Sequence, residues 1–464
     1  MTGDVDKMSR LPRLALATPG LGPEPAPASL ALLAGLTAAG LRVQHFRTRS
    51  CPIGSELIRA ITGLPGRHLD AWLMPPPVCR GIFARGLRQA ELALIEGTLE
   101  DPHPQGHRCG ADVEVGCTHP GRLGPIAEAL DAPTIALIDC PSLEGLHLPR
   151  LPNGIDAVLL DGLIDPEQFG PIRSMFQHVL RKPVLGAIEA LPEVRRALLS
   201  VPRHLSPTLD LIEPLAASFK RFVDLDALKL LAVSRPFPEL PCPAGGCRSR
   251  RLRVAYAQDE AFGGYFPDTL ETLEALGAEL VEFSPLADES LPEAVDLVII
   301  GCGYPDRFQD ELAANLSLTA ALRAHVCRGL RIYAEGGGAA YLARMMIVEG
   351  RAVPGAGILP FDAELREQPD LPSPVERTLN RDTWLGRRGT VVRGYDSGRW
   401  RLRPAPEPGD CPARSGPLTA SRDLYYRRNA IGSLVHLHLA ALPDVVAAFL
   451  GLPRPSLIGP PSMS

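Results

Sequence analysis

The chain has 464 residues, of which 45% are hydrophobic and 22% are charged. One hydrophobic core rarely organises that length, so we expect two domains of roughly 200 residues each. No apolar run approaches the roughly 20 residues that a membrane-spanning helix needs, and the stretch around Lys7 and Arg10 lacks the apolar core of a secretory signal. A net charge of −5, with Lys and Arg dispersed, excludes a nucleic-acid surface. We therefore expect a cytoplasmic protein with reduced cysteines and no membrane partner.

The first half alternates short apolar runs with helical patterns, which is typical of βαβ units around a parallel sheet. A helix is predicted over Ala28–Ala39, with Gly40 at its carboxyl end, because Leu and Ala dominate and glycine commonly ends helices. Prolines and glycines without apolar periodicity predict a linker over 235–251, after a first domain of residues 1–234. The buried strands predicted in this domain are Leu14–Ala17, Leu41–Phe46, Leu92–Ile95, Thr134–Ile138, Ala157–Leu160 and Pro183–Gly186.

A second α/β domain is predicted over residues 252–464. Helices are expected over Asp268–Leu276 and Leu316–Val326, between apolar runs of strand type. From about Pro354 to Arg427 the sequence is polar and rich in proline, which predicts a long irregular segment with a few strands. The strands predicted in this domain are Leu252–Tyr256, Glu279–Phe283, Leu297–Ile300 and Arg331–Ala334.

Residues Tyr333–Gly338 have the pattern of a nucleophile elbow, a tight strand-to-helix turn that exposes its central side chain above the sheet. Glycines permit the strained backbone angles of such a turn. The stretch resembles the Y-A-E-C-G-G elbow of class I glutamine amidotransferases, in which a cysteine thiolate attacks the carboxamide of glutamine. Gly336 stands at the position of that cysteine and has no atom that can attack. The sequence thus predicts a glutaminase scaffold without its nucleophile.

Several further segments, in a fixed order, carry a broader resemblance: Leu69–Met74, Ile95–Gly97, Ile138–Asp139, Val223–Leu228, Tyr265–Asp268, Leu276–Glu279, Phe283–Leu286, Gly301–Asp306 and His436–His438. Over almost its whole length the chain resembles the cobyrinic acid a,c-diamide synthase family. The resemblance implies an α/β fold of two domains, a dethiobiotin-synthetase-like parallel sheet of P-loop type and a flavodoxin-like domain of class I glutamine amidotransferase type. It also implies that ATP activates a carboxylate of a corrin-type tetrapyrrole as an acyl phosphate, which ammonia from glutamine converts to the amide.

The resemblance places a phosphate loop after the first strand, at Ala17–Pro27. Such a loop holds phosphate with successive backbone N–H groups and a lysine, while a Ser or Thr holds Mg²⁺. This segment contains no lysine, its prolines lack N–H groups, and Glu24 adds a negative charge. Ser29 either replaces the metal-holding hydroxyl or caps the following helix. Mg-ATP is therefore implied as a cofactor by the resemblance, whereas the residues predict that it does not bind in the ordinary mode.

Candidate residues for nucleotide or substrate binding follow three of the predicted strands. Arg47 and Arg49 could pair with substrate carboxylates, because guanidinium groups bind carboxylates through two parallel hydrogen bonds; the alternative is two solvated loop arginines. Asp70 belongs to one of the matching segments. Glu96 matches a metal-associated glutamate of the family, and Asp139 ends a strand at the edge where α/β sheets bind ligands. Either acidic residue could also be a remnant of a lost site.

The loop that begins at Gly301 matches the Gly-rich loop of the amidotransferases. The resemblance implies that its backbone N–H groups form an oxyanion hole, a job for which glycine is suited. Gly301, Gly303 and Gly337 are the candidate residues of this oxyanion loop.

His436 and His438 match an H-x-H pattern, one member of which would act as the base toward the missing cysteine. Cys302 lies on the neighbouring glycine-rich loop and has two interpretations. It is either a replacement nucleophile that approaches the position of Gly336 or a buried structural cysteine. A replacement would have to reach the same carbonyl at attack distance.

One polar segment concentrates ligand types that suit Zn²⁺, at His103, His107, Cys109, Cys117 and His119. The spacing matches no zinc signature, and the prolines and glycine nearby oppose a helix that would align the imidazoles. The alternatives are a metal site and an irregular surface loop.

Three functions remain open at this stage. The first is a catalytically impaired diamide synthase homologue that binds a tetrapyrrole carboxylate or an active homologous subunit, or forms a homo-oligomer. The second is an active ATP-dependent amidoligase that uses free ammonia, and the third is a protein interaction module built on the segment 354–427. Fold alone does not choose among them.

Overall fold

The computed structural model describes residues 11–20, 25–51, 56–99, 120–143, 151–200, 209–235, 252–367, 372–396, 398–404, 424–442, 445–446 and 450. The chain divides into two compact units, Met1–Cys242 and Pro243–Ser464. Most of the expected linker, 236–251, lies outside the described residues. Each unit has its own buried apolar core.

The first unit is built around a seven-stranded sheet in which every adjacent pair of strands is parallel. The strand order is β3-β2-β4-β1-β5-β6-β7. The apolar runs are nearly continuous, as expected for strands that helices cover on both faces. The strands are β1 Arg13–Thr18, β2 Val43–Arg47, β3 Arg67–His68, β4 Leu92–Thr98, β5 Thr134–Asp139, β6 Ile155–Leu163 and β7 Val184–Glu189.

The helices of this unit are α1 Pro27–Ala38, α2 Glu56–Thr62, α3 Pro76–Gly86, α4 Gly124–Leu130, α5 Phe169–Val179, α6 Pro192–Ser200, α7 Glu213–Phe222 and α8 Leu225–Ala232. Helix α1 begins at Pro27, where the fixed φ of proline suits a first helical position. It ends beside Gly40, whose φ of 83° is readily adopted only by glycine. Ser29 is buried inside α1, so the interpretation of Ser29 as the cap was wrong and Ala26 takes that position.

The second unit contains a six-stranded sheet with the order β10-β8-β11-β13-β21-β20. Its first five strands are mutually parallel, and β20 is an antiparallel edge. Its strands are β8 Arg253–Ala257, β10 Glu279–Phe283, β11 Leu297–Ile300, β13 Arg331–Glu335, β20 Leu424–Arg427 and β21 Ala430–Ser433.

Three smaller sheets complete the second unit, with orders β12-β9, β15-β14-β16-β19 and β17-β18-β22. Their strands are β9 Phe262–Gly264, β12 Cys302–Gly303, β14 Met345–Val348, β15 Arg351–Pro354, β16 Phe361–Leu365, β17 Ser373–Thr378, β18 Val391–Asp396, β19 Trp400–Pro404 and β22 Val435–His436. The helices are α9 Pro267–Ala275, α10 Gln309–Ala314, α11 Leu316–Cys327 and α12 Gly337–Leu342. Within the described residues of either unit, no helix is long and apolar enough to cross a membrane.

The predicted α/β class is confirmed, and every predicted strand and helix overlaps an observed one. Two strands, β10 and β11, have the predicted bounds. The segment 354–427 does contain a few strands; β16 to β19 belong to the small sheets, and β20 is the edge strand of the six-stranded sheet.

Candidate functional sites

Glu96 is a buried carboxylate of the first unit. It lies on β4 and is 1% exposed. Its Oε1 accepts a hydrogen bond of 2.8 Å from the backbone N–H of Ala26, just before α1. Its Oε2 lies 3.1 Å from His45 Nε2 and 3.9 Å from Arg47 Nε, both on the adjacent β2. The parallel pairing of β2 with β4 creates this cluster, because it sets Arg47 beside Glu96.

Burial alone would raise the pKa of the Glu96 carboxyl. The Arg47 guanidinium and the hydrogen bonds from His45 and Ala26 outweigh that effect and hold the pKa below its ordinary value. Glu96 is therefore an anion whose two oxygens already contact cationic or N–H groups of the chain. A Mg²⁺ ion would have to displace those groups, so this carboxylate does not fit the metal of a Mg-ATP site.

At the start of the expected phosphate loop, the Thr18 side chain already contacts backbone carbonyls. The hydroxyl of Thr18 lies 3.0 Å from the carbonyl of Gly20 and 3.1 Å from that of Gly97. At Gly97, a Cβ atom would lie 2.4 Å from Thr48 Oγ1, so the backbone here packs closely against its neighbour. The sequence places no lysine in this loop, and residues 21–24 lie outside the described ones. That nucleotide does not bind here in the ordinary mode remains a prediction.

The other candidates of the first unit are dispersed around the sheet edge. Arg47 is 7% exposed and ends β2, so it is not a solvated loop residue, whereas Arg49 lies just beyond the strand and is partly exposed. Asp70 is fully buried and accepts hydrogen bonds from the backbone N–H groups of Ser50 at 3.2 Å and Trp72 at 3.0 Å. Asp139 ends β5 with its side chain exposed, as expected. The structure joins Arg47 to Glu96 in one cluster.

In the second unit, the elbow has the predicted form. Strand β13 ends at Glu335, Gly336 turns the chain, and α12 begins at Gly337. Gly336 has φ 51° and ψ −113°, a backbone conformation that residues with a side chain rarely adopt. Its N–H donates to the carbonyl of Ser433 at 2.7 Å. The strand-to-helix geometry of a nucleophile elbow is therefore intact around a residue without a side chain.

A thiol lies close to the elbow. Cys302, on β12, is 1% exposed, and its Sγ lies 2.6 Å from Nδ1 of His436 on β22. A Cβ built on Gly336 would lie 2.6 Å from Cε1 of the same histidine and 3.6 Å from Cys302 Sγ. Of the two predicted histidines, the structure brings His436 to the thiol. His438 is buried and stacks on Phe266, with ring centroids 4.5 Å apart.

Glu335 is a member of this cluster that the sequence analysis did not single out. Its Oε1 accepts hydrogen bonds from the Tyr333 hydroxyl at 2.5 Å and from the Leu437 N–H at 3.0 Å. Its Oε2 lies 3.7 Å from His436 Nδ1. One potential ligand atom each from Cys302, Glu335 and His436 lies within 4.8 Å of the others, and all three residues are buried. The sequence signal that could have identified Glu335 was its position at the end of a strand, directly before the elbow.

The expected oxyanion loop is ordered by its neighbours. The N–H of Gly301 donates to the Tyr265 hydroxyl at 3.0 Å. Burial raises the pKa of Tyr265, so this hydroxyl stays protonated. Gly303 packs so closely that a Cβ would lie 1.9 Å from the Ala261 carbonyl oxygen, and a Cβ on Gly337 would lie 2.7 Å from Pro305. The oxyanion role of Gly301, Gly303 and Gly337 remains a prediction.

The segment with His103, His107, Cys109, Cys117 and His119 lies outside the described residues. Whether it holds a metal remains a prediction.

Residues 253–442 match the model of the CobB/CobQ-like glutamine amidotransferase domain. This match confirms the amidotransferase-like class predicted for the second domain. Among solved structures, a glutamine amidotransferase is 22% identical and matches 43% of this chain and 100% of its own length, with a TM-score of 0.31. PurLQS from Thermotoga maritima is 15% identical, with coverages of 43% and 96% and a TM-score of 0.31.

Similar proteins extend over both units. Cobyrinate a,c-diamide synthase of Salmonella typhimurium is 29% identical over 462 residues, which cover 95% of this chain and 97% of that protein. Hydrogenobyrinate a,c-diamide synthase of Streptomyces coelicolor is 29% identical, with coverages of 96% and 98%. Cobyrinate a,c-diamide synthase of Magnetococcus marinus is 31% identical over 78% of this chain and 79% of that protein. The chain therefore belongs to the cobyrinate a,c-diamide synthase family.

Proposed function

We propose that this protein binds a carboxylate-bearing corrin-type tetrapyrrole and does not amidate it with ATP and glutamine. The observation that carries the proposal is the environment of Glu96, whose oxygens are hydrogen-bonded to Ala26 and His45, with the Arg47 guanidinium 3.9 Å away. A carboxylate in that environment has little capacity left for a hydrated Mg²⁺ ion. Without metal-bound ATP, the acyl phosphate that precedes amide formation does not form.

The elbow supports the proposal independently. Gly336 has no nucleophilic atom, so glutamine cannot form a thioester at that position. The likeness to a,c-diamide synthases spans nearly the whole chain, which supports retention of a site for the macrocycle. Of the cationic candidates, we favour Arg49 for a substrate carboxylate, because it is partly exposed whereas Arg47 is buried beside Glu96.

Two measurements on the full chain test this function. Equilibrium dialysis against cobyrinate is expected to show saturable binding that weakens in Arg49→Ala. Arg59→Ala is the matched control, because Arg59 is an exposed arginine of α2 in the same unit and should leave binding unchanged. Mass spectrometry of cobyrinate incubated with Mg-ATP, and with glutamine or ammonium, is expected to show no diamide.

The possible outcomes separate the candidate functions. Diamide formation with ammonium alone would overturn the closure of the nucleotide site and favour the ammonia-dependent ligase. Diamide formation with glutamine would show that the missing elbow thiol is replaced. Absence of cobyrinate binding would sink the tetrapyrrole part of the proposal and favour a function in protein interaction.

A further inference from the structure

The cluster of Cys302, Glu335 and His436 has the donor types of a divalent metal site. A thiolate, an imidazole and a carboxylate are ligands that zinc and similar transition ions accept, and sites with three protein ligands keep a fourth position open. The three side chains come from β12, β13 and β22, three separate strands of the unit. From this convergence we propose that the second unit binds one Zn²⁺-type ion through Cys302 Sγ, His436 Nδ1 and Glu335 Oε2.

The hydrogen bonds around Glu335 fit this role. Tyr333 and Leu437 hold Oε1, which leaves Oε2 on the side of the histidine, 3.7 Å from His436 Nδ1. Metal-binding carboxylates are commonly oriented in this manner by outer hydrogen bonds on their second oxygen. The Tyr333 hydroxyl donates its hydrogen bond to Oε1 at 2.5 Å.

The distances require a modest adjustment. Ligands at about 2.3 Å for sulfur and about 2.0 Å for nitrogen in a tetrahedral site lie roughly 3.5 Å from each other. The separation of 3.7 Å between Nδ1 and Oε2 meets that requirement, whereas Sγ and Nδ1 at 2.6 Å must part by about one ångström. The absent side chain at Gly336 permits this, because a Cβ there would already contact the imidazole.

A metal also fits the burial of the cluster better than a thiol nucleophile does. Cys302 and His436 are 1% and 2% exposed, so a carboxamide substrate would have to open the structure to reach the sulfur. An ion needs far less space. A buried carboxylate and imidazole are moreover the polar groups that metal coordination satisfies. Binding releases the thiol proton to solvent, because the thiolate is the ligand.

Cobalt substitution tests the assignment directly. The purified full chain is stripped with a chelator and titrated with Co²⁺, whose bond to a thiolate gives a near-ultraviolet charge-transfer band. We expect one equivalent of Co²⁺ with that band in the wild type and in Cys79→Ser, and no band in Cys302→Ser. Cys79 is the control because it is a similarly buried thiol in the other unit. Zn²⁺ should displace the cobalt and abolish the band.

A second variant guards against misfolding of Cys302→Ser. Tyr333→Phe keeps all three ligands but removes the hydroxyl that holds Glu335, so the band should persist while affinity falls about 10–100-fold. An unchanged Tyr333→Phe affinity would refute the ligand role of Glu335. A band that survives in Cys302→Ser would place the ion elsewhere, for example at Cys109 or Cys117. Absence of the band in the wild type, or turnover of glutamine by Cys302, would overturn the proposal.

Discussion

Glu96 and Glu335 both lie near the carboxyl ends of central parallel strands and beside a histidine; His45 comes from the adjacent strand of the same sheet, whereas His436 comes from a strand of a separate small sheet. They differ in how their oxygens are used. Both oxygens of Glu96 are held by groups of the chain, whereas one oxygen of Glu335 is anchored and the other faces a thiol and an imidazole. Burial beside a histidine therefore does not define a site. What matters is the acceptor capacity that the fold leaves available.

The same contrast predicts how each cluster responds to substitution. Around Glu96 the protein's own groups contact both carboxylate oxygens, so we expect the cluster to contribute to stability. Around Glu335, Gly336 carries no side chain, and Cys302 and His436 lie next to the position that its Cβ would take. We expect that no single substitution gives the Glu96 cluster a catalytic activity, whereas a thiol added at position 336 should give the Glu335 cluster glutamine hydrolysis.

The largest expected effect is a gain of glutamine hydrolysis in the double variant Gly336→Cys/Cys302→Ala. The new thiol would stand at the elbow beside His436, and removal of Cys302 frees the imidazole from its 2.6 Å contact. Base assistance is worth about 100-fold or more, so glutamate release should rise at least that far above the control Gly336→Ala/Cys302→Ala. A folded double variant without glutamate release would show that the Glu335 cluster is as closed as the Glu96 cluster.

The next effect is the loss of stability in Glu96→Gln. This change removes the charge that Arg47 faces in a buried setting, which should cost about 3–4 kcal/mol of unfolding free energy at pH 7. Because the folded pKa of Glu96 is lowered, its contribution is fully present above the unfolded pKa of about 4.3 and is lost as pH falls through the lower folded value. Urea unfolding of both proteins at pH 7 and at acid pH measures this. A difference that persists unchanged at acid pH would contradict the ionic account.

Local patterns predicted the elements well, because each depends on residues close in sequence. The apolar runs at β10 and β11 predicted their bounds correctly. Strand β3 was not predicted, since its residues Arg67 and His68 form a strand only by pairing with β2. Ser29 was misassigned because Pro27 starts the helix two residues earlier.

The sites were predicted less completely. The motif located Gly336, and the H-x-H pattern located His436, but no local pattern could show which histidine meets Cys302. That contact joins residues 134 positions apart and depends on how β12 and β22 are placed in the unit. The anchoring of Glu335 by Leu437 likewise spans 102 positions. A site whose residues come from strands far apart in the sequence therefore cannot be predicted from local patterns and is recognised only in the folded structure.

Gly336→Ala should destabilise the second unit by about 2–3 kcal/mol, because its φ of 51° and ψ of −113° are strained for a side chain and the new Cβ would meet His436. Gly350→Ala is the matched control. Gly350 also has positive φ, at 79°, but nothing lies within 4 Å of the Cβ position, so about 1 kcal/mol is expected. Equal losses in urea unfolding would mean that the imidazole moves freely and that the gap at the elbow is not tightly bounded.

The smallest expected effect concerns Thr18, at the start of the expected phosphate loop in the first unit. Thr18→Val removes a hydroxyl that lies within hydrogen-bond distance of the Gly20 and Gly97 carbonyls while it keeps the shape of the side chain. The loss should be about 1 kcal/mol of unfolding free energy, the usual net value of one hydrogen bond. If the Glu96 cluster is structural, Mg-ATP should not raise the melting temperature of either protein, because only a ligand that binds the folded state stabilises it. A nucleotide-induced rise in the wild type that Thr18→Val abolishes would instead show that this hydroxyl still serves a phosphate or metal site, and the contrast between the two glutamates would fail.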